Sequence, residues 1–523
     1  MKHWSIVLPA ACCLVLGVVA WGAPKHHKTG DHAPALPGTP PKATKSVTEG
    51  SVVVEGKRIN YTATAGTIIL KNRKGQPTGS MFYVAYTKRG ANPSKRPITF
   101  MYNGGPGSST IWLHMGAYGP KRIVTADHTH TPAAPYKLVD NEYSLLDVTD
   151  EVFIDAMSTG YSRIIRKDHG GAGSKKLFYG VDPDVKAFGQ FITRYLSQND
   201  RWNSPKYLYG ESYGTLRSEV LADYLTKDKD IDLNGVVLQS AYMGHAIQRG
   251  SDAQYATILP TMAADAWYHH KLPNQPAQLQ PFLQQVEQFA LNQYTLALAQ
   301  GNTLSTADFD AIANKLHDYT GLSVAYIEKA NLRVSAFEFF HQLLNAQDLT
   351  VGRLDGRFTG PSMNPMSQGA QYDPQAAAIS SAYAAGFNAY AANVLKYNPG
   401  TYYRPEAYNI VFPWPNEDSI PGGFSGFGGG KGPPVNGGVD LAQAMKRDPL
   451  LHVQVEAGYY DFATPFFSME YEVNHMQLPK DLQSHIQFKF YDSGHMIYVH
   501  IPGLHKLHDN VAAFIRSTDN LKS

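Results

Sequence analysis

The chain has 523 residues, 43% of them hydrophobic and 17% charged, an ordinary globular composition with enough apolar material for a large core. The formal net charge is +2, without a basic block or a heptad array, so nothing here points to nucleic acid. The length allows two or three domains, but a single α/β enzyme with an inserted cap also reaches this size.

Lys2 and His3 precede the apolar run SIVLPAACCLVLGVVAWGA, which Pro9 interrupts and the small-residue site Ala20-Trp21-Gly22, followed by Ala23, closes. This reads as a secretory signal peptide over residues 1–23, cut after Gly22 or Ala23, with an uncleaved anchor as the alternative. Both cysteines, Cys12 and Cys13, fall inside it. The exported form is therefore expected to have no disulfide and no membrane segment. Export without disulfides points to a bacterial periplasmic or secreted protein. The Pro-rich stretch that follows reads as a disordered tether, residues 24–48.

From Ser51 the text turns strand-like. SVVVEG, INYTATAG and SMFYVAYTK carry β-branched and aromatic runs broken by Gly and Asn, as antiparallel strands opening a sheet would. RPITFMYNGG and EVFIDAM read as short apolar strands. VDPDVKAFGQFITRYLSQ reads as a helix, with Asp182 as its cap, Pro183 in the first turn and Val185, Phe188, Ile192 and Tyr195 on one side. PKYLYG is a strand, TLRSEVLADYLT a helix and NGVVLQSAY a strand. Strands alternating with helices predict a parallel sheet with crossover connections, over residues 49–242. The rhythm then breaks. Residues 243–447 carry long helical patterns and the irregular tract IPGGFSGFGGGKGPPVNGG, which read as a largely helical cap inserted into the core. LHVQVEAG, SHIQFKFYDSG and LHKLHDNVAAFIRS resume strand, strand and helix, so residues 448–523 form the second part of the core. A cap so placed would cover the carboxyl ends of the strands, where open α/β sheets bind ligands.

Gly210-Glu211-Ser212-Tyr213-Gly214 lies between a predicted strand and a predicted helix. That context suits a nucleophile elbow, in which a sharp turn presents a serine hydroxyl. The hydroxyl needs a base, and the base needs an orienting acid. Asp461 follows one later strand and His495 the next, in the order Ser, acid, His. Asp492 competes as the acid, and Ser108, Ser109 and Ser493 are alternative serines without an elbow context. MYNGGPGSST also follows a strand. Its Gly104 and Gly105 could bring backbone N–H groups to an oxyanion, with the N–H of Tyr213 as the other donor, or they could form a plain turn. H-E-x-x-H is absent and the histidines show no metal-ligand spacing, so no metal or cofactor is expected.

Taken together, N-G-G-P-G-S-S at 103–109, N-x-Y-S at 141–144, G-Y-S at 160–162, G-E-S-Y-G at 210–214, A-G-x-x-D-F at 457–462 and G-H-M at 494–496 resemble the serine carboxypeptidase family, from about residue 80 to the C-terminus. The likeness is strongest to its bacterial, exported branch. It implies an α/β-hydrolase fold, with Ser212 as nucleophile, His495 as base and Asp461 as its acid. Gly105 and Tyr213 would supply the oxyanion N–H groups. Asn103 and Glu211 match residues that bind the substrate's terminal carboxylate, and Met496 matches a position lining the terminal side-chain pocket. Glu211 could donate a hydrogen bond to that carboxylate only when protonated, which favours mildly acidic pH.

Two departures stand out. The family has a glutamate soon after N-G-G-P-G, in a Glu-x-Gly-Pro stretch; here the stretch is Ala117-Tyr118-Gly119-Pro120. His114, near in sequence, is a candidate cationic substitute. The usual cysteine after N-G-G-P-G is Ser108. The expected partners are peptides with a free C-terminus, and the oligomeric state stays open. A serine esterase or acyltransferase with the same three residues is the rival reading, favoured by Ala117. A non-catalytic envelope binding protein is the second.

Overall fold

The computed structural model describes residues 42–244, 250–415 and 435–521. The expected signal peptide, most of the tether and most of the Gly/Pro tract at 420–438 lie outside the described residues.

Three long antiparallel strands open the sheet: β1 (Lys45–Val54), β2 (Lys57–Lys71) and β3 (Pro77–Lys88). β1 begins inside the stretch read as tether. Lys45 already pairs with Gly66, so residues 45–48 are sheet edge and not tether. β4 (Ile98–Tyr102), a small hairpin of β5 (Lys121–Ile123) and β6 (Leu138–Asp140), β7 (Asp150–Ile154) and the short β8 (Arg163–Ile164) follow. Then come α1 (Val181–Gln198), β9 (Lys206–Glu211), α2 (Tyr213–Lys229) and β10 (Gly235–Gln239). α1 is capped by Gly180, not by Asp182. The aspartate lies in the first turn and pairs with Lys186 one turn on, at 3.4 Å.

The insertion runs through α3 (Asp252–Tyr268), α4 (Leu279–Phe289), α5 (Thr295–Gln300), α6 (Thr306–Thr320), α7 (Val324–Lys329) and α8 (Ala336–Gln342). Ser305 and Ser335 cap α6 and α8 through their hydroxyls, the latter in a capping box with Glu338. A two-stranded hairpin, β11 (Leu349–Val351) and β12 (Thr359–Pro361), precedes α9 (Pro374–Asn393), the single-turn α10 (Tyr408–Val411) and α11 (Gly437–Arg447). α11, placed in the cap by sequence, packs against α2 and so belongs to the helical layer over the sheet. The core resumes with β13 (His452–Gly458), α12 (Phe466–Asn474), α13 (Lys480–Gln483), β14 (Ile486–Tyr491) and α14 (Ile501–Thr518).

The strand order is β1-β2-β3-β7-β4-β9-β10-β13-β14, with β8 beside β3. From β7 to β14 every neighbouring pair is parallel. The central strands β4, β9 and β10 are buried on both faces, so they run largely apolar instead of alternating with polar residues, whereas β14 keeps partly exposed positions. Phe100, Leu208, Val236 and Leu238 join one buried cluster with Phe188 of α1 and Leu216 of α2. Their neighbours Met101, Tyr207, Tyr209 and Val237 point the other way, into a cluster with Leu507, Val511 and Phe514 of α14. No described helix is long and apolar enough to cross a membrane.

Sheet register does the positioning. Tyr102 pairs with Gly210, Glu211 with Gln239, Gln239 with Glu456, and Gly458 with Tyr491. The carboxyl ends of β4, β9, β10, β13 and β14 therefore sit side by side, and the residues just beyond them meet.

Candidate active site

Ser212 follows the last residue of β9 and precedes the first of α2. Its backbone has φ 61° and ψ −131°, a region that costs a non-glycine residue about 1–3 kcal/mol. The neighbouring elements force this turn. A Cβ at Gly210 would lie 2.1 Å from the Gly214 carbonyl oxygen and 2.7 Å from Ser218 Oγ. The Asn103–Gly105 loop lies equally close: a Cβ at Gly104 would sit 2.4 Å from the Tyr213 nitrogen. Asn103, Gly104, Gly105, Glu211, Ser212, His495 and Met496 all line one open cleft of about 630 Å³. Tyr213 is buried behind them.

His495 and Asp461 meet beyond β14 and β13, with Nδ1 and Oδ2 2.8 Å apart. Asp461 is fully buried, and four donors replace its lost hydration. Oδ1 accepts from the Ala463 and Thr464 N–H groups at 2.7 and 3.0 Å; Oδ2 accepts from the Thr464 hydroxyl at 2.6 Å and from His495. A carboxylate can only accept here, so His495 carries its proton on Nδ1 and leaves Nε2 as a base. Burial works against the charged imidazole, but the Asp461 carboxylate outweighs it and holds the pKa above the ordinary histidine value. Among the described residues the Ser212–His495 hydrogen bond is not formed; such links are often long before substrate arrives. Asp492 is exposed, and the Ser493 hydroxyl donates to the Ile497 carbonyl. Ser108 lines the cleft, but its Oγ accepts from Trp112 Nε1 and donates to the Ser109 carbonyl.

Glu211 is buried at the floor of the same cleft. Desolvation pushes its pKa up to about 7, partly offset by His495 and by hydrogen bonds from Tyr498 and Asn103. Tyr498 Oη donates to Oε2 at 3.0 Å and Gln239 Nε2 at 3.3 Å, while Tyr209 Oη holds the other end of Gln239 at 2.7 Å. Neutral donors thus surround Glu211. Ala117 is fully buried and contributes no carboxyl. His114 does not replace it: the ring is buried, bonds Tyr86 Oη at 2.7 Å and stacks on Phe153, and burial lowers its pKa to about 3. It is a neutral core histidine.

The sequence reading missed several residues. Arg217, fully buried on α2, donates from Nη1 to the Asn103 carbonyl at 2.9 Å, pairs with Asp184 at 2.7 Å and faces the Tyr213 ring. It ties together the two backbone segments that flank the serine. Trp112, Arg353, Leu354, Ile379, Glu406 and Tyr408 also line the cleft. The segment after β11 is stitched to the loops bearing Asp461 and His495. Phe462 N donates to the Arg353 carbonyl at 3.1 Å, His495 N to the Leu354 carbonyl at 2.6 Å, and Gly494 N to Asp355 Oδ2 at 3.1 Å. Asp355 is held by Arg357 at 2.6 Å, and Arg357 by Asp127, which pairs with His500. No motif marks this strut, because its residues act through backbone bonds and one buried ion pair.

A sequence model of the serine carboxypeptidase family matches residues 58–350. The pheromone-processing carboxypeptidase KEX1 of Cryptococcus gattii is 25% identical over 217 residues, covering 40% of this chain and 30% of that protein. Serine carboxypeptidase-like 35 of Arabidopsis thaliana is 26% identical over 263 residues, covering 47% and 48%. The chain thus spans less than half the length of these two curated relatives in the aligned regions. Among solved structures, KEX1(delta)p of Saccharomyces cerevisiae, a prohormone-processing carboxypeptidase, superposes with a TM-score of 0.54 at 15% identity, covering 87% of this chain and 92% of that one. That likeness shows the fold, an α/β hydrolase.

Proposed function

The chain belongs to the serine carboxypeptidase family, and from that membership we propose that it releases the C-terminal residue of peptides through Ser212, His495 and Asp461. The observation that carries the proposal is that His495, held from behind by buried Asp461, shares one cleft with a strained Ser212 and with a buried Glu211 able to hold a proton near neutral pH.

Ser212 Oγ attacks the carbonyl carbon of the last peptide bond while His495 Nε2 takes its proton. The N–H groups of Gly105 and Tyr213 receive the negative charge that develops on the carbonyl oxygen. His495 returns the proton to the leaving amine, and the former C-terminal residue departs as a free amino acid, leaving the shortened peptide as an ester on Ser212. Water, deprotonated by His495, then attacks the acyl-enzyme ester and frees Ser212. Asp461 fixes the ring and stabilises the imidazolium. Asn103, Gly104 and protonated Glu211 hold the terminal carboxylate, and Met496 lines the pocket for its side chain.

Two limbs of a pH profile follow. His495 must be neutral to act as base, so all substrates lose rate as pH falls through its raised pKa. Glu211 must be protonated to donate, so free-acid peptides lose affinity as pH rises through about 7. The enzyme would work outside the cytoplasm of a bacterium, in the periplasm or secreted, in line with the apolar run at its N-terminus.

The absence of a carboxyl at Ala117 favours a second reading, a serine esterase or acyltransferase on small molecules. Matched N-blocked dipeptides, one with a free C-terminus and one amidated, separate the two. The carboxypeptidase reading expects cleavage of the free acid well above that of the amide. Equal cleavage of both, or of neither while a simple ester is hydrolysed, would leave only the esterase reading.

A further inference from the structure

Among the described residues lining the cleft is one guanidinium whose charge the reaction above does not use. Arg353 lies in the strut between β11 and β12, is exposed, and lines the same cavity as Ser212, Glu211 and His495. Its backbone is not free to wander. The carbonyl accepts from Phe462 N at 3.1 Å, and the next residue, Leu354, both accepts from His495 N at 2.6 Å and donates to Asp373 Oδ2 at 2.7 Å. The Arg353 Cα is therefore fixed relative to both His495 and the loop of Asp461.

Its side chain forms no ion pair with a carboxylate among the described residues, although Asp373 is near enough that the Arg353 charge partly offsets the upward push of burial on its pKa. Asp373 spends both oxygens on the N–H groups of Leu354 and Ala376, as the cap of α9. Glu406 lines the cleft too but is not paired with Arg353. A guanidinium that forms no ion pair among the described residues, anchored at the rim of a reaction cleft, is a ready fork for a carboxylate.

A second observation concerns the chemistry. The Arg353 charge disfavours protonation of His495 and lowers the Tyr408 pKa, so its field reaches the reacting groups. That field opposes the imidazolium that must form when Ser212 attacks. An anion bound to Arg353 would cancel it. A neutral substrate would leave that small opposing field in place.

We propose that Arg353 is a specificity-determining residue that binds a carboxylate carried by the departing C-terminal residue, in place of the second carboxyl lost at Ala117. This rests on the carboxypeptidase reading. Two carboxylates on that residue could meet the guanidinium, its terminal one or an acidic side chain, and the first is the one every peptide supplies. Arginine side chains are not deprotonated in proteins, so a contact of this kind would sustain binding above neutrality, where Glu211 turns anionic.

The test compares wild type, Arg353→Gln and Arg353→Lys on three N-blocked dipeptides: Phe-Leu with a free C-terminus, Phe-Leu amide and Phe-Glu amide. kcat and KM are measured separately at pH 6 and pH 8, and a thermal melt checks each fold. Loss of one charge-assisted contact predicts a fall of about ten- to hundred-fold in kcat/KM for the free acid beyond any fall for Phe-Leu amide. The fall should be mainly in KM, larger at pH 8, and partly restored by lysine. A selective loss on Phe-Glu amide instead would assign the contact to an acidic side chain and still support a carboxylate-binding Arg353. An equal change on all three substrates overturns the proposal while leaving the carboxypeptidase reading intact, provided wild type prefers the free acid. If wild type shows no such preference, the carboxypeptidase reading fails and this proposal with it.

Discussion

Ser212, Asp461 and His495 stand just past the carboxyl ends of three strands of one parallel sheet, whereas Arg353, Ile379 and Tyr408 reach the same cleft from the long insertion between β10 and β13. In the first region position follows from register: once Glu211 pairs with Gln239 and Gly458 with Tyr491, the residues beyond them are fixed to within a bond or two. In the second, position depends on helix packing and on a strut of backbone hydrogen bonds at 353–356. On the proposed reading the sheet end holds the groups that make and break bonds, and the insertion holds groups that choose what is cleaved. The two regions are joined where the His495 and Gly494 N–H groups meet Leu354 and Asp355.

Changes at the sheet end should cost the most. Ser212→Ala removes the attacking oxygen of the proposed reaction and is expected to lower kcat by about 10⁶-fold while thermal unfolding shows a folded protein. Asp461→Asn keeps the shape but lets an amide face His495 Nδ1, favouring the wrong tautomer; a fall of about 10⁴-fold in kcat is expected in steady-state assays. If either variant kept wild-type rates, the sheet-end cluster would not be the reaction centre.

Asp355→Asn probes the join. It removes the charge that accepts the Gly494 N–H and pairs with Arg357. A small displacement of the His495 loop should lower kcat by about 10²-fold, with less effect on KM. A variant with wild-type kcat would show that the sheet end holds its geometry without the insertion, and the contrast between the two regions would be complete.

The smallest effect sharpens the comparison from the floor of the cleft. Glu211→Gln replaces a group that titrates near pH 7 with a permanent neutral donor. For free-acid peptides the wild-type KM should rise several-fold from pH 6 to pH 8, because Glu211 loses its proton and repels the carboxylate. In the variant that rise should shrink to what Arg353 and Asn103 leave. A KM profile identical to wild type would remove Glu211 from carboxylate binding.

The sheet end was also the part most legible in the sequence. A nucleophile elbow needs small flanking residues, because Gly210 and Gly104 lie against other backbone, and such constraints leave letters that can be read. The central parallel strands announce themselves as apolar runs, since both faces are buried. Register, however, is not written in any one strand, so the choice between Asp461 and Asp492 required the fold. The insertion was legible as helices but not as a wall. Arg353 and Asp355 sit in no motif, and a lone arginine in a loop is ordinary until its neighbours are placed. His114 misled for a related reason: proximity in sequence to Ala117 suggested a substitute, but the Leu113–Tyr118 turn buries its ring against Phe153. Arg217 was hidden on α2, where its apolar surroundings gave no sign that it holds the Asn103 carbonyl.

The most direct test of the account is to treat the protein with an organophosphonate serine probe and locate the adduct by peptide mass mapping, in wild type and in Asp461→Asn. The account predicts a single adduct on Ser212 that forms more slowly as pH falls through the His495 pKa and is strongly suppressed in Asp461→Asn. An adduct on Ser108, Ser109 or Ser493, or none on a folded protein, would contradict it.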